Sequence, residues 1–282
     1  MGMDKLGFHC HSMRHFKGAI LDTGLKRGEF YNFPAQEIPL LKKEISRHNI
    51  SVSIHAPLVR PDWYYDPPTF TYLCDADRGK RELSLRMIEL ALNQASDFNT
   101  DYVVVHYPHP LDDLDGVEYA DLRKIALDSA YQLSKLGDKY KQEIHIEGYG
   151  PNPLLSVDFL KEVFSEFPKL KYCFDTGHLN IDSKEREFDL YGFAEGLAQH
   201  VGSIHLWNVS SVLDFESYRH IPVHPSQKPE DGWVDVPRIL KTLWGHVKSV
   251  IFENIPQYPQ ELGGHDYKEG VQWVKQLATT LS

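Results

Sequence analysis

The sequence predicts an α/β fold: a single (β/α)₈ barrel of parallel strands occupying residues 1–282 as one domain. Three observations point there. Short apolar, β-branched runs alternate with longer amphipathic stretches along the whole chain, the signature of parallel strands joined by helical crossovers. Seven such runs are clear and an eighth is weaker, which together make the number a closed barrel needs. No GxGxxG or GxxxxGK[ST] phosphate loop follows any of them, which removes the commonest reasons to prefer an open doubly wound sheet, the runner-up.

Taken in order, the clear strands are KLGFHC (5–10), ISVSIHA (50–56), DYVVVHY (101–107), QEIHIEG (142–148), LKYCFDT (170–176), VGSIHLW (201–207) and KSVIFEN (248–254). Each is short, rich in Val, Ile and Phe, and bounded by polar or turn residues, as buried strands are. The weak candidate is EFYNF (29–33), inside a stretch, 12–34, where no first helix is legible. Apolar residues recur at three- and four-residue spacing over 35–48, 79–98, 120–140, 156–167, 188–200, 235–244 and 267–281, which predicts helices there. Ser156 and Asp235 stand where N-caps are wanted. Two long inserts follow strands, at about 57–78 and 208–234, both rich in Pro, aromatic and polar residues. In a barrel, such loops build the active-site face.

Composition is that of a globular chain, 41% hydrophobic and 25% charged. The net charge of −10 disfavours nonspecific attraction to phosphate backbones, so nucleic acid is not the expected partner. Three cysteines, Cys10, Cys74 and Cys173, form no CxxC pair and no disulfide framework, and no run approaches a membrane span or a signal peptide. A cytoplasmic location without membrane contact is the expectation. A homo-oligomer is compatible with all of this.

The strand ends carry the chemistry. His55, His106, Glu147, Asp175, His205 and Glu253 close six consecutive clear strands. In a parallel barrel all six ends lie on one face around one axis. A lone His or Glu at a strand end is usually a satisfied polar group, but six converging imidazoles and carboxylates would suffer large desolvation and like-charge costs without cations among them. Divalent metal removes the difficulty. Imidazole with carboxylate suits zinc or manganese first, with iron and cobalt behind, and one to three ions.

The motifs SIHAPL (53–58), VVVHYPH (103–109), HIEGYG (145–150), CFDTGHLN (173–180), SIHLWN (203–208) and VIFENI (250–255) resemble, in this order and spacing, those of the xylose isomerase-like TIM barrels. That superfamily holds sugar phosphate isomerases and epimerases, sugar dehydratase relatives and the endonuclease IV-like enzymes of AP endonuclease family 2, and the resemblance spans nearly the whole chain. It implies Glu147, Asp175, His205 and Glu253 as the metal ligands of the epimerase-like members, with Glu147 and Glu253 as their proton-transfer pair. In endonuclease IV-like members His55 and His106 would join Glu147 around a second ion. A third ion there would use His178 and an Asp-Arg-His triplet. The triplet aligns here with Tyr218-Arg219-His220, so Tyr stands where Asp is expected, and His220 or His224 would have to serve. The resemblance also implies that His178 and Arg219 contact substrate hydroxyls.

Trp63, with Tyr64 and Tyr65, could stack on a sugar face or a base, or anchor the first long loop instead. His9 and His11 flank Cys10 at the end of the first strand, where a core or supporting role is the plainer reading. The expected function is a metal-dependent isomerase or epimerase of a small sugar-like molecule. The alternative is an endonuclease IV-like phosphodiesterase acting at abasic sites in DNA, which His55 and His106 favour. DTGH (175–178) in place of DxCH, Tyr218, and the lack of a basic footprint oppose it. A binding barrel without turnover predicts a missing ligand or base, and none is missing.

Overall fold

A computed structural model describes residues 2–108, 117–150, 152–254 and 264–281. His109 and Ile255, the last residues of two of the motifs above, lie outside them. The strands are β1 (Leu6–Cys10), β2 (Arg27–Phe30), β3 (Ser51–His55), β4 (Val103–His106), β5 (Ile144–Glu147), β6 (Leu170–Asp175), β7 (Val201–Leu206) and β8 (Ser249–Phe252). They pair in sequence order, all parallel, and β8 closes on β1 to complete the expected barrel.

Side chains alternate across each strand with period two. Val103 and Val105, Ile144 and Ile146, Phe174, Ile204 and Leu206 face outward into one hydrophobic core shared with the helices. The residues between them face the lumen, and many are polar: Glu29, Ser53, His55, His106, His145, Glu147, Asp175, Ser203 and His205 are all buried. Register brings these together at the carboxyl ends, where His106 pairs with Glu147 and Asp175 with His205.

The helices around the barrel are α1 (Met13–Phe16), α2 (Ile38–His48), α3 (Arg78–Ala95), α4 (Tyr119–Tyr140), α5 (Val157–Glu166), α6 (Thr176–Glu185), α7 (Leu190–Leu197), α8 (Val212–Tyr218), α9 (Val236–Leu243) and α10 (Tyr267–Leu281). Ser156 and Asp235 do cap helices, accepting from the backbone N–H of Phe159 and Arg238. Three helices escape the periodicity. A short π-helical stretch, Lys17–Leu21, continues α1 inside the illegible segment. Nearly every residue of α6 up to Ser183 is buried, so it has no polar face to produce a stripe. α8 sits inside the second long insert, which is therefore partly helical rather than a plain loop. The weak strand also begins two residues earlier than EFYNF and ends at Phe30. Among the described residues no helix is long and apolar enough to cross a membrane.

Gly177, at the start of α6, decides how closely that helix approaches β7. A Cβ there would lie 2.4 Å from the ring of Trp207, which is completely buried. Gly177→Ala is expected to destabilise the fold by about 1–3 kcal/mol through overpacking. Gly245→Ala, where a Cβ meets nothing, should be nearly neutral. Equal thermal unfolding midpoints for the two variants would contradict this packing.

Candidate active site

Six strand ends deliver their side chains to one place, in two overlapping groups. Glu147 ends β5 and belongs to both. In the first group, His55 Nε2 lies 3.1 Å from His106 Nε2 and 3.4 Å from Glu147 Oε2, and His106 Nε2 lies 3.5 Å from that same oxygen. In the second, His205 Nδ1 lies 2.9 Å from Glu253 Oε2, 3.2 Å from Glu147 Oε2 and 4.0 Å from Asp175 Oδ2. The donor atoms of each group lie within 4.8 Å of one another, as ligands of one ion must. Neighbouring donors around a metal with bonds of about 2.0–2.1 Å stand roughly 2.9–3.4 Å apart, so the closest spacings fit.

His205 Nδ1, Glu147 Oε2 and Glu253 Oε2 are buried and close together, yet none has a hydrogen-bond partner among the described residues. Their lone pairs converge on shared space instead. Such atoms are costly to leave unpaired, and a cation between them removes the cost. His205 Nε2, on the other side of the ring, is 2.7 Å from Glu29 Oε1.

Electrostatics describe a crowd of carboxylates around one imidazole: burial would lower His205, but Cys173, Glu253, Glu147 and Glu29 push it well above its ordinary value. Burial would raise the Glu147 carboxyl, but His205 and His106 hold it well below the usual range, and Glu253 is held down in the same way, chiefly by His205. Asp175 is pushed well above its ordinary value by burial and by the charges of Glu147 and Glu253. Three carboxylates this close cannot all ionise without a compensating cation. Cys173 also lies near Glu147 and His205 as a third metal-capable group, and burial pushes its thiol up to about 12.

Above the cluster opens a cavity of about 540 Å³. Glu147, Glu253 and His106 line its floor, and His178 and Tyr149 line its wall, their rings stacked with centroids 4.7 Å apart. The second insert contributes Phe215, Arg219 and His220, and the first contributes Thr69. His220 lies parallel to Trp207 at 4.1 Å and its Nδ1 is 2.8 Å from the backbone carbonyl of Glu253, so it braces that segment. His224 points elsewhere, to Glu269. Neither His178 nor His220 belongs to any of these metal-capable groups. Trp63 does not line the cavity: it is half-buried beneath the Arg86 guanidinium, 4.3 Å from its ring, and Tyr65 is 86% exposed.

The cavity also takes residues that the sequence analysis gave a supporting role or did not name. His9, read there as a supporting residue, lines the cavity and places Nδ1 3.2 Å from Glu253 Oε1. His11, His15, Tyr31 and Asn254 line it too. Tyr149 was within reach of the pattern, standing two residues beyond Glu147 and so on the same side of an extended chain. Glu29 was hidden in the weakest strand.

A family model described as "Xylose isomerase-like TIM barrel" matches residues 6–277. Among solved structures, the chain is similar to a D-tagatose 3-epimerase-like protein (16% identity, 98% of each chain covered, TM-score 0.71). It is similar to an L-ribulose 3-epimerase (15% identity, 99% of this chain and 96% of that one, TM-score 0.71). A third is the 3-keto-D-glucoside 4-epimerase YcjR from E. coli (14% identity, 96% and 99% covered, TM-score 0.68). No curated protein matches by sequence.

Burial, with His220 nearby, holds His178 at about 3, against 6.5 for an ordinary imidazole. The unfolded chain therefore binds a proton that the folded chain excludes. The stability from this group is complete above about pH 6.5 and declines by about 1.4 kcal/mol per pH unit as pH falls toward its folded value. His178→Gln should flatten the loss of stability between about pH 7 and about pH 5, measured by denaturant unfolding of metal-free protein. Parallel pH profiles for the two proteins would contradict a neutral, buried His178.

Proposed function

The chain belongs to the xylose isomerase-like TIM barrel family, and on that footing we propose that it is a divalent-metal-dependent isomerase or epimerase of a small sugar or sugar derivative. The observation that carries the proposal is the convergence of two carboxylates, Glu147 and Glu253, on His205 Nδ1 at the floor of a cavity sized for a small molecule. Sugar epimerases among the similar structures support the same reading.

Glu147, Asp175, His205 and Glu253 would hold one ion, and His55 and His106 with Glu147 a second. Zinc and manganese suit this donor set best. When bound, the metal supplies Lewis-acid polarisation of a substrate carbonyl. The remaining work belongs to the protein. One of the two carboxylates, ionised, removes the proton from the carbon beside the carbonyl, and the other, protonated, delivers a proton of its own. Delivery to the same carbon from the opposite face inverts its configuration, and delivery to the neighbouring carbon, with a proton passing between the two oxygens, moves the carbonyl. His9 beside Glu253 Oε1 orients that carboxylate and is placed to share its proton.

Arg219 and His178 are placed to bind hydroxyl groups of the substrate. The backbone of Arg219 has φ 59° and ψ −132°, a conformation costly for a residue with a side chain, of order 1–3 kcal/mol. That strain at the cavity rim supports a functional placement of the guanidinium.

A second reading, phosphodiester cleavage at abasic DNA, is favoured by the His55–His106–Glu147 group, since two neighbouring ions clamp a phosphodiester well. Against it, Arg219 is the only Lys or Arg lining the cavity among the described residues, and the net charge is −10.

Elemental analysis of protein purified without chelator should find up to two equivalents of metal, and Glu147→Gln, which removes the shared ligand, should lose most of both. In a panel of ketoses, polyols and abasic-site DNA, turnover should appear with a sugar and fall about 10²–10⁴-fold in the same variant. DNA incision without sugar turnover would reverse the order of the two readings. Arg219→Ala should raise KM more than it lowers kcat, as expected of a residue that binds substrate throughout the reaction. A pure kcat defect would move Arg219 into the chemical step.

A further inference from the structure

Glu29 is an ionisable side chain that the reaction does not use, buried in the lumen below the metal-capable groups. It stands on β2 and reaches across the barrel to β7, three strands away around the ring. Its Oε1 lies 2.7 Å from His205 Nε2, and its Oε2 accepts from the Ser53 hydroxyl at 3.0 Å. Glu29, Ser53 and His205 are all 0% exposed. Ser53 is the register partner of Glu29 on β3 and aims the carboxylate from beside it.

Resting on the metal-dependent reading above, we infer that Glu29 is the positioning residue for His205, fixing the imidazole as its Nε2–H tautomer and turning the Nδ1 lone pair toward Glu147, Asp175 and Glu253. An imidazole ring has one donor and one acceptor nitrogen when neutral. With Nε2–H donated to a carboxylate, Nδ1 is left bare, and Nδ1 is the atom that converges with Glu147 Oε2 and Glu253 Oε2. The ring cannot turn over without breaking that bond.

The charge itself needs explaining. A glutamine would have the same length and could accept the same two hydrogen bonds through one oxygen, without the cost of burying an ionised group. A carboxylate does what an amide cannot: it polarises the imidazole and raises its basicity toward a metal. It also cannot present an N–H to Nε2, whereas an amide can, and an amide that does so favours the opposite tautomer, with the proton on Nδ1 where the ion should bind.

The test compares wild type with Glu29→Gln, using zinc alone as the probe. The zinc dissociation constant is measured by competition with a chromogenic chelator, and histidine tautomers are read from ¹⁵N spectra of zinc-loaded protein. Glu29→Gln should weaken zinc binding about 10–100-fold, and the His205 signals should lose the pattern of a protonated Nε2 with a metal-bound Nδ1. A residue that only fills the lumen would alter the thermal stability of metal-free protein and leave both readouts alone. Zinc affinity within about twofold of wild type, with the tautomer retained, overturns the inference even if stability changes. Should Glu29→Gln fail to fold, Ser53→Ala carries the test: it leaves the carboxylate in place but frees its second oxygen, so zinc binding should weaken in the same direction and by less, and unchanged binding overturns the inference. Wild-type protein that takes up no zinc or manganese sinks the metal-dependent reading and this inference together, whereas wild-type uptake with unaffected variants sinks this inference alone.

Discussion

Everything at the mouth of this barrel follows from one constraint: carboxylates and imidazoles have been taken out of water in a space too small for their charges to ignore each other. Closing eight parallel strands into a ring forces their carboxyl ends to face a common axis. Because side chains alternate, every second residue at those ends must point inward, and here those residues are His55, His106, Glu147, Asp175 and His205, with Glu253 just beyond β8. Glu147 and Asp175 feel opposing pushes from that crowding, one held ionised by imidazoles and the other driven toward protonation by burial and its neighbours. The same constraint orders the second layer, where Glu29 and Ser53 occupy lumen positions that in many barrels hold branched apolar residues.

The periphery is arranged around that centre. α6 starts directly at Asp175, whose Oδ1 accepts the His178 N–H while Oδ2 accepts from Trp207 Nε1, so one side chain caps a helix, anchors a ring and still faces the ion-binding space. Trp207 in turn stacks on His220, which braces the backbone of Glu253. The second insert thus acts through a short chain of rigid contacts, and its α8 ends at the strained Arg219 on the cavity rim. Similar structures at 14–16% identity establish the fold. The functional argument is carried by this chain's own residues.

Much of this was legible in the sequence because the strongest signals are local. A Val-Val-Val-His or Ile-His-Ile-Glu run announces both a buried strand and the polar residue that ends it, and parallel topology then supplies the convergence. What stayed hidden depends on contacts between distant segments. Glu29 lies in RGEF, where glycine and two charged residues mask a strand whose charged side chains point into a polar lumen; its partner His205 is 176 residues away. α6 was invisible for the opposite reason, being buried on nearly all sides. Trp63 looked like a sugar platform by residue type alone, but its surroundings, Arg86 above and Tyr64 edge-on, make it part of the loop's own packing. His220 and His224 were indistinguishable by spacing, and contacts with distant residues separate them, Trp207 and the Glu253 carbonyl for the one and Glu269 for the other.

The most direct test of the account is anomalous diffraction from crystals of the protein loaded with zinc or manganese. The account predicts two peaks sharing Glu147, one among His55, His106 and Glu147 and one among Glu147, Asp175, His205 and Glu253, each about 2.0–2.2 Å from its donors. Loaded crystals with no peak in either place, or with metal only at surface histidines, would contradict it.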